Sequence, residues 1–174
     1  PVIVELYAPG DETELFVNGV SLGRKPAGSA AGYRTLFETV YVPGTLRAVS
    51  YENGAEIGSM ELHTAGAQRR LVLTADVPGE RKIKAGALAF VMIECRDAAG
   101  TVADDGELTL TAEITGDAVL LGFGSGDPKP SLPYQGTKTQ TFHGRAQLIL
   151  KKNRADAPVT VRIRAGEMTG EILV

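Results

Sequence analysis

The chain has 174 residues, of which 43% are hydrophobic and 22% charged, with a net charge of −3. That is enough apolar content for a packed core, and too balanced a charge for the basic footprint of a nucleic-acid binder. A single cysteine excludes an intrachain disulfide, no stretch approaches the ~20 apolar residues of a membrane-spanning helix, and 21 glycines point to many turns between short strands.

The sequence enters a strand pattern at once, Val2-Ile-Val-Glu-Leu-Tyr7. A natural protein rarely starts that way, so the chain reads as an excised piece of a longer one, and the lack of a leader says nothing about where that protein resides. Helix signals are nearly absent. Glu14–Val17 is followed by Asn18-Gly19, and Asn53-Gly54 precedes Glu56–Leu62. Both dipeptides mark hairpins, because the central residues of a type I′ turn need positive φ. Between them, Pro43-Gly44 signals a turn and Leu46, Ala48 and Ser50 alternate with larger neighbours. The small-residue link Thr64-Ala-Gly-Ala67 predicts a boundary, giving domains over 1–66 and 67–174. The first holds four basic and eight acidic residues, the second fourteen and thirteen. At about 65 residues the first is small for independent stability and is expected to lean on its neighbours.

In the second part Leu71, Leu73 and Ala75 form a strand pattern, and Pro78-Gly79 is a turn signal. Val91, Ile93 and Cys95 alternate with Met92 and Glu94, which places Cys95 on a buried face as a structural thiol. Asp97-Ala-Ala-Gly100 reads as a longer hairpin connection. Leu108–Ile114 and Val159–Ala165 alternate apolar and polar without a break, the period of a half-buried antiparallel strand. Arg162 and Arg164 fall on the solvated face of the latter, and Ala146–Leu150 supplies one more strand. Turns every 8–12 residues or so are the spacing of an all-β sandwich. The expected fold is all-β, with two immunoglobulin-like antiparallel β-sandwich domains in tandem.

The run Glu14-Leu-Phe-Val-Asn-Gly-Val-Ser-Leu-Gly-Arg-Lys25 resembles a hairpin that follows the catalytic barrel in glycoside hydrolase family 2, the family of β-galactosidases and β-glucuronidases. Here Leu22-Gly23 is read as the end of the returning strand. Pro43-Gly-Thr-Leu-Arg-Ala-Val-Ser-Tyr51 and Leu62-His-Thr-Ala-Gly66 continue the likeness. The second part resembles the last β-sandwich domain of bacterial members at Phe90–Asp97, at Gly122-Phe-Gly-Ser-Gly-Asp-Pro128, at Pro133-Tyr-Gln135 and at Phe142-His-Gly-Arg-Ala146. Ser125 stands where the family more often has Asn, and Tyr134 where it has Phe. The resemblance implies two sandwiches C-terminal to a (β/α)₈ barrel, and a secreted or periplasmic bacterial parent whose paired catalytic glutamates lie on that barrel, outside this region.

The residues themselves offer no catalytic set. A retaining glycosidase needs two carboxyls about 5 Å apart. Asp104-Asp105 is an adjacent pair whose side chains point apart and reads as solvated loop. His63 and His143 are isolated, so no zinc site is expected; calcium through Asp104, Asp105 and Asp117 lacks an EF-hand spacing. Gly122-Phe-Gly-Ser-Gly126 is neither a nucleophile elbow nor a dinucleotide fingerprint, since no helix follows. The 122–136 loop is the distinctive segment. Asp127 either caps its own turn or joins Tyr134 and Gln135 in presenting the loop to a sugar or a neighbouring domain. Sugar-binding modules stack ligands on flat aromatic rings. There is no Trp, Phe90, Phe123 and Phe142 alternate as buried residues, and Tyr33, Tyr51 and Tyr134 remain as candidate exposed rings.

The expected role is therefore a non-catalytic accessory region of a family 2 glycoside hydrolase, needing no cofactor or metal. Its main partner is the rest of the enzyme, through packing on the catalytic domain or oligomer contacts. Two other readings are a weak carbohydrate-binding module and a bacterial immunoglobulin-like adhesion repeat. The Glu14–Lys25 hairpin fits the latter poorly.

Overall fold

The computed structural model describes residues 1–76, 85–104, 106–154 and 157–174; the Pro78-Gly79 turn signal and Asp105 lie outside them. The chain is all-β, as the period-two patterning predicts. The helical element among the described residues is a single 3₁₀ turn, Ser29–Ala31. Two compact units divide the chain, Pro1–Thr64 and Ala65–Val174.

The first unit contains β1 (Val2–Tyr7), β2 (Glu12–Val17), β3 (Val20–Pro26), β4 (Arg34–Thr39), β5 (Thr45–Glu52) and β6 (Ala55–His63). β1 and β4 form one antiparallel sheet and the other four a second, in the order β3-β2-β5-β6. Thr35 and Phe37 of β4 face inward opposite Leu6 and Val4. With Leu15, Ala27 and Val49 they make up a small core. The hairpin dipeptides behave as expected: Asn18 and Gly19 have φ of 50° and 80°, Asn53 and Gly54 of 51° and 79°. Asn18 also ties in the neighbouring turn. Its Oδ1 accepts from Thr45 N at 2.7 Å and its Nδ2 donates to Pro43 O at 3.1 Å.

One expectation for this hairpin fails. β3 does not end at Leu22-Gly23; it runs on to Pro26. Gly23, at φ 89°, instead sits in an irregularity that shifts the β2–β3 register between Glu14 and Phe16. The shift brings β3 side chains back onto Glu14, which accepts from Ser21 Oγ at 2.6 Å, Tyr51 Oη at 3.0 Å and Arg24 Nε at 3.2 Å. The Ser21 hydroxyl foremost, then Tyr51 and Arg24, hold the Glu14 carboxyl below the usual carboxylate range. The Arg24 guanidinium lies 3.6 Å from the centre of the Tyr51 ring. The Glu-Leu…Ser-Leu-Gly-Arg pattern thus has a local physical meaning: it closes a polar cluster over the hairpin.

The second unit is built from β7 (Arg69–Ala75), β8 (Leu88–Asp97), β9 (Thr109–Thr115), β10 (Ala118–Gly124), β11 (Lys138–Gln140), β12 (Arg145–Lys152), β13 (Thr160–Ala165) and β14 (Met168–Leu173). They form two four-stranded sheets, β10-β12-β8-β7 and β11-β9-β13-β14. The inward residues alternate along each strand: Val91, Ile93 and Cys95 on β8, Leu148 and Leu150 on β12, Val161 and Ile163 on β13, all fully buried or nearly so. On the outward face of β13 the residues are charged and paired. Arg162 bonds Glu171 and lies near Glu113, as does Arg164, so this face is a solvated ladder.

Asp97 ends β8 and is buried. Its carboxylate accepts from Gly66 N at 2.7 Å and Thr101 N at 2.8 Å. Those backbone donors, Gly66 first, hold it below its ordinary range against the opposing effect of burial. It pins the segment leading into β7 and the Asp97–Gly100 turn at the same point.

Candidate functional site

The outer face of β10-β12-β8 carries a groove of about 660 Å³. Its shape follows from a miscount between two strands. β10 and β12 pair in regular register up to Leu120↔Leu150 and resume at Gly122↔Ile149, leaving Leu121 as an extra residue. A bulge of this kind reverses the in–out phase beyond it. Val119 and Leu121 both point outward, and Phe123, two residues further on, turns into the core with 1% exposure. Gly122 and Gly124 are therefore on the outer face, where they offer bare backbone.

The cross-strand register then sets the floor. Gly124 stands opposite Gln147, which stands opposite Met92. Gly122 stands opposite Ile149 in the next row, and Arg145 opposite Glu94 on the other side. Above the glycines the chain returns through the long loop, and Phe123 N donates to Tyr134 O at 2.7 Å. The Cδ1–Cε1 edge of the Tyr134 ring abuts Gly124; a Cβ there would overlap those two atoms. No other residue type fits that approach without moving the ring. Tyr134 keeps 45% of its surface exposed. Phe142 and His143 close the far end.

The three loop residues singled out from the sequence part ways here. Tyr134 lines the groove; Asp127 and Gln135 do not. Asp127 accepts from Lys129 N at 2.8 Å, the self-capping turn that its position before Pro128 allows. Gln135 is exposed beyond the ring. The loop is further tied down by Ser131 Oγ, 2.7 Å from Gln140 Oε1. The sequence reading missed Met92, Arg145 and Gln147; their outward phase on β8 and β12 was legible from the alternation that buries Ile93 and Leu148. It also misplaced two rings. Phe90 and Phe142 are half-buried, not core: Phe90 shares the outward phase of Met92, and Phe142 precedes a tight turn in which His143 has φ 49°. Of the other candidate rings, Tyr51 is half-covered beneath Arg24 while Tyr33 is exposed.

The charged groups beside the groove are paired with one another, two arginines sharing one glutamate. Glu94 accepts from Arg145 Nε at 3.1 Å and from Arg96, and Asp104 Oδ1 lies 2.6 Å from His143 Nδ1. Asp117 bonds Asn153 instead, and among the described residues no group of three or more metal-ligating side chains occurs. No helix among them is long and apolar enough to cross a membrane.

Residues 71–173 match the model of glycoside hydrolase family 2 C-terminal domain 5. The chain belongs to glycoside hydrolase family 2. Residues 1–58 match a second family model, described as a domain of unknown function (DUF4982). The β-galactosidase BoGH2A of Bacteroides ovatus is 29% identical over 153 residues, covering 84% of this chain and 17% of that protein. A solved family 2 member from Bacteroides cellulosilyticus is 27% identical with a TM-score of 0.90, over 99% of this chain and 24% of the other. A β-glycosidase from Bacteroides vulgatus shares the fold with a TM-score of 0.81 at 24% identity, over 99% of this chain and 22% of the other. The chain thus spans about a fifth of the length of these family 2 relatives, as their C-terminal β-sandwich region.

Proposed function

We propose that this is a non-catalytic accessory region of a β-galactosidase-type glycoside hydrolase, and that its first unit packs against the rest of that enzyme. The observation that carries the reading is the distribution of apolar surface in the first unit. Its fully buried large side chains are Leu15, Phe37 and Val49, yet Ile3, Val40, Tyr41, Ile57, Met60 and Leu62 are all exposed, Met60 and Tyr41 at 67% each. More large apolar side chains face out than in. β6 is an edge strand exposed at every residue, and such a strand in a native protein is normally covered.

Three carboxyls lie below the ordinary carboxylate range. A glycosidase general acid needs a raised pKa. Glu5, Glu14 and Asp97 are shifted down, Glu5 by its Arg34 and Tyr7 partners. In this reading the catalytic glutamates belong to the barrel of the longer enzyme.

The test compares two lengths of protein. In the full-length enzyme Met60→Asp is expected to lower the melting temperature by several degrees, because the charge must be desolvated against its neighbour. In the 174-residue chain the same substitution, on an exposed strand, is expected to leave melting unchanged. An unchanged full-length enzyme would overturn the packing.

A further inference from the structure

We infer that the groove on the outer face of β10-β12-β8 is a binding site for one face of a neutral pyranose ring. The inference rests on reading the chain as part of a glycosidase, and it assigns this unit a ligand of its own.

Three observations define the occupant. The first is the platform. The Tyr134 ring is seated by its Cδ1–Cε1 edge against Gly124 while 45% of the residue stays exposed, so a positioned aromatic surface exists before any ligand arrives. A pre-set ring loses little side-chain entropy on binding, and an apolar ring face against the C–H face of a sugar is the pairing such a surface serves. Met92 and Phe142 extend the apolar lining. The second is the placement of polar groups. The Gln147 amide lies in the same cross-strand row as Gly124, and Ser125 also lines the groove. A few hydrogen-bonding groups around an apolar floor suit a ligand with one hydrophobic face and a hydroxylated edge. The third is charge. Arg96 and Arg145 share Glu94, and His143 faces Asp104, so each of these cationic groups already has a carboxylate partner. A neutral hexose leaves those pairs intact; a uronic acid would have to compete with a carboxylate already in place.

The size agrees. About 660 Å³ accommodates a mono- or disaccharide, at the scale of small-ligand sites. With one open ring and two hydrogen-bonding side chains, the dissociation constant is expected on the order of 1 mM.

The experiment is a chemical-shift titration of the 174-residue chain with methyl β-galactopyranoside, methyl β-glucopyranoside and methyl β-glucuronide to about 20 mM, well above that constant. The neutral glycosides are expected to shift the Gly124, Gly126 and Gln147 amides and the Tyr134 ring. Tyr134→Ala, which keeps the backbone bond to Phe123, is expected to weaken binding at least about tenfold, and Gly124→Ala, which displaces the ring but retains it, to do the same. Val119→Ala, on the same face outside the groove, is expected to change nothing. No shifts, shifts centred elsewhere, or tighter binding of the glucuronide would overturn the assignment. So would self-association that Tyr134→Ala abolishes, which would make the occupant a second copy. Each of these results leaves the Met60→Asp comparison intact, so the two readings fail separately.

Discussion

Truncating Leu148 to alanine tests the register on which the second unit and its groove both depend. Leu148 is fully buried between Ala146 and Leu150, while its neighbour Gln147 points to the groove. A register slip of one residue would exchange them. Removing three buried carbons costs about 2.4 kcal/mol at about 0.8 kcal/mol each. The space left is walled by Val91 and Phe123, its partners on β8 and β10, both held in sheets and unable to collapse fully. A residual cavity of about 60 Å³ adds about 1.4 kcal/mol. The total of about 4 kcal/mol lies within the range for buried leucines. For a unit of about 110 residues, at about 2.1 cal/mol/K per residue, it lowers the melting temperature by about 16 °C. Gln147→Ala on the same strand should shift it by no more than about 2 °C, the scale of an exposed substitution. Calorimetry on the whole chain reads both. A loss below about 4 °C for Leu148→Ala, or equal losses for both variants, would refute the register.

Asn18→Ala removes two side-chain hydrogen bonds and forces a left-handed backbone on alanine, so it should cost about 2 kcal/mol, whereas Asn18→Gly, which tolerates the φ, should cost about 1; denaturant melts of the two variants compare them, and equal losses would place the effect wholly in the hydrogen bonds. Asp97 is depressed in the folded state, so its contribution is present above the unfolded value of about 4 and is lost as pH falls through the lower folded value. The stability gap between the native chain and Asp97→Asn should be constant from neutral pH to about pH 5 and shrink below about pH 4. Urea titrations across that range check this, and a gap that widened in acid would contradict the sign. Cys95 is buried on the core face of β8, and thiol labelling should proceed only at the rate of unfolding; rapid labelling of the native chain would show that β8 is not packed as described.

How much of this could be read from the sequence differs between core and groove. The inward rows Val91-Ile93-Cys95 and Val161-Ile163 follow from period two alone, because burial of one sheet face imposes it directly. The Asn-Gly hairpins were equally legible, since positive φ selects few residue types. The course of β3 past Gly23 was not: a glycine between strand residues marks a stop or an irregularity with equal force, and only the bond from Ser21 to Glu14 decides between them. The site was half legible. Tyr134 stood out beside its glycines, but Asp127 and Gln135 share its loop without sharing its orientation, and turn chemistry local to Asp127 consumes the group that seemed free to meet a ligand. Arg145 and Gln147 come from a strand more than ten residues downstream and join the loop only through pairing across the sheet.

The single extra residue at Leu121 has an evolutionary consequence. Because the phase reversal comes from a count of residues and not from their identity, the bare backbone at Gly122 and Gly124 persists through many side-chain replacements elsewhere in β10. Deleting Leu121 would restore uninterrupted pairing with Phe123 still opposite Leu148 and Gly124 still opposite Gln147, so the core and groove faces of the strand would survive loss of the bulge. The strand can thus lose that one residue without exchanging the side chains that face the core for those that face the groove.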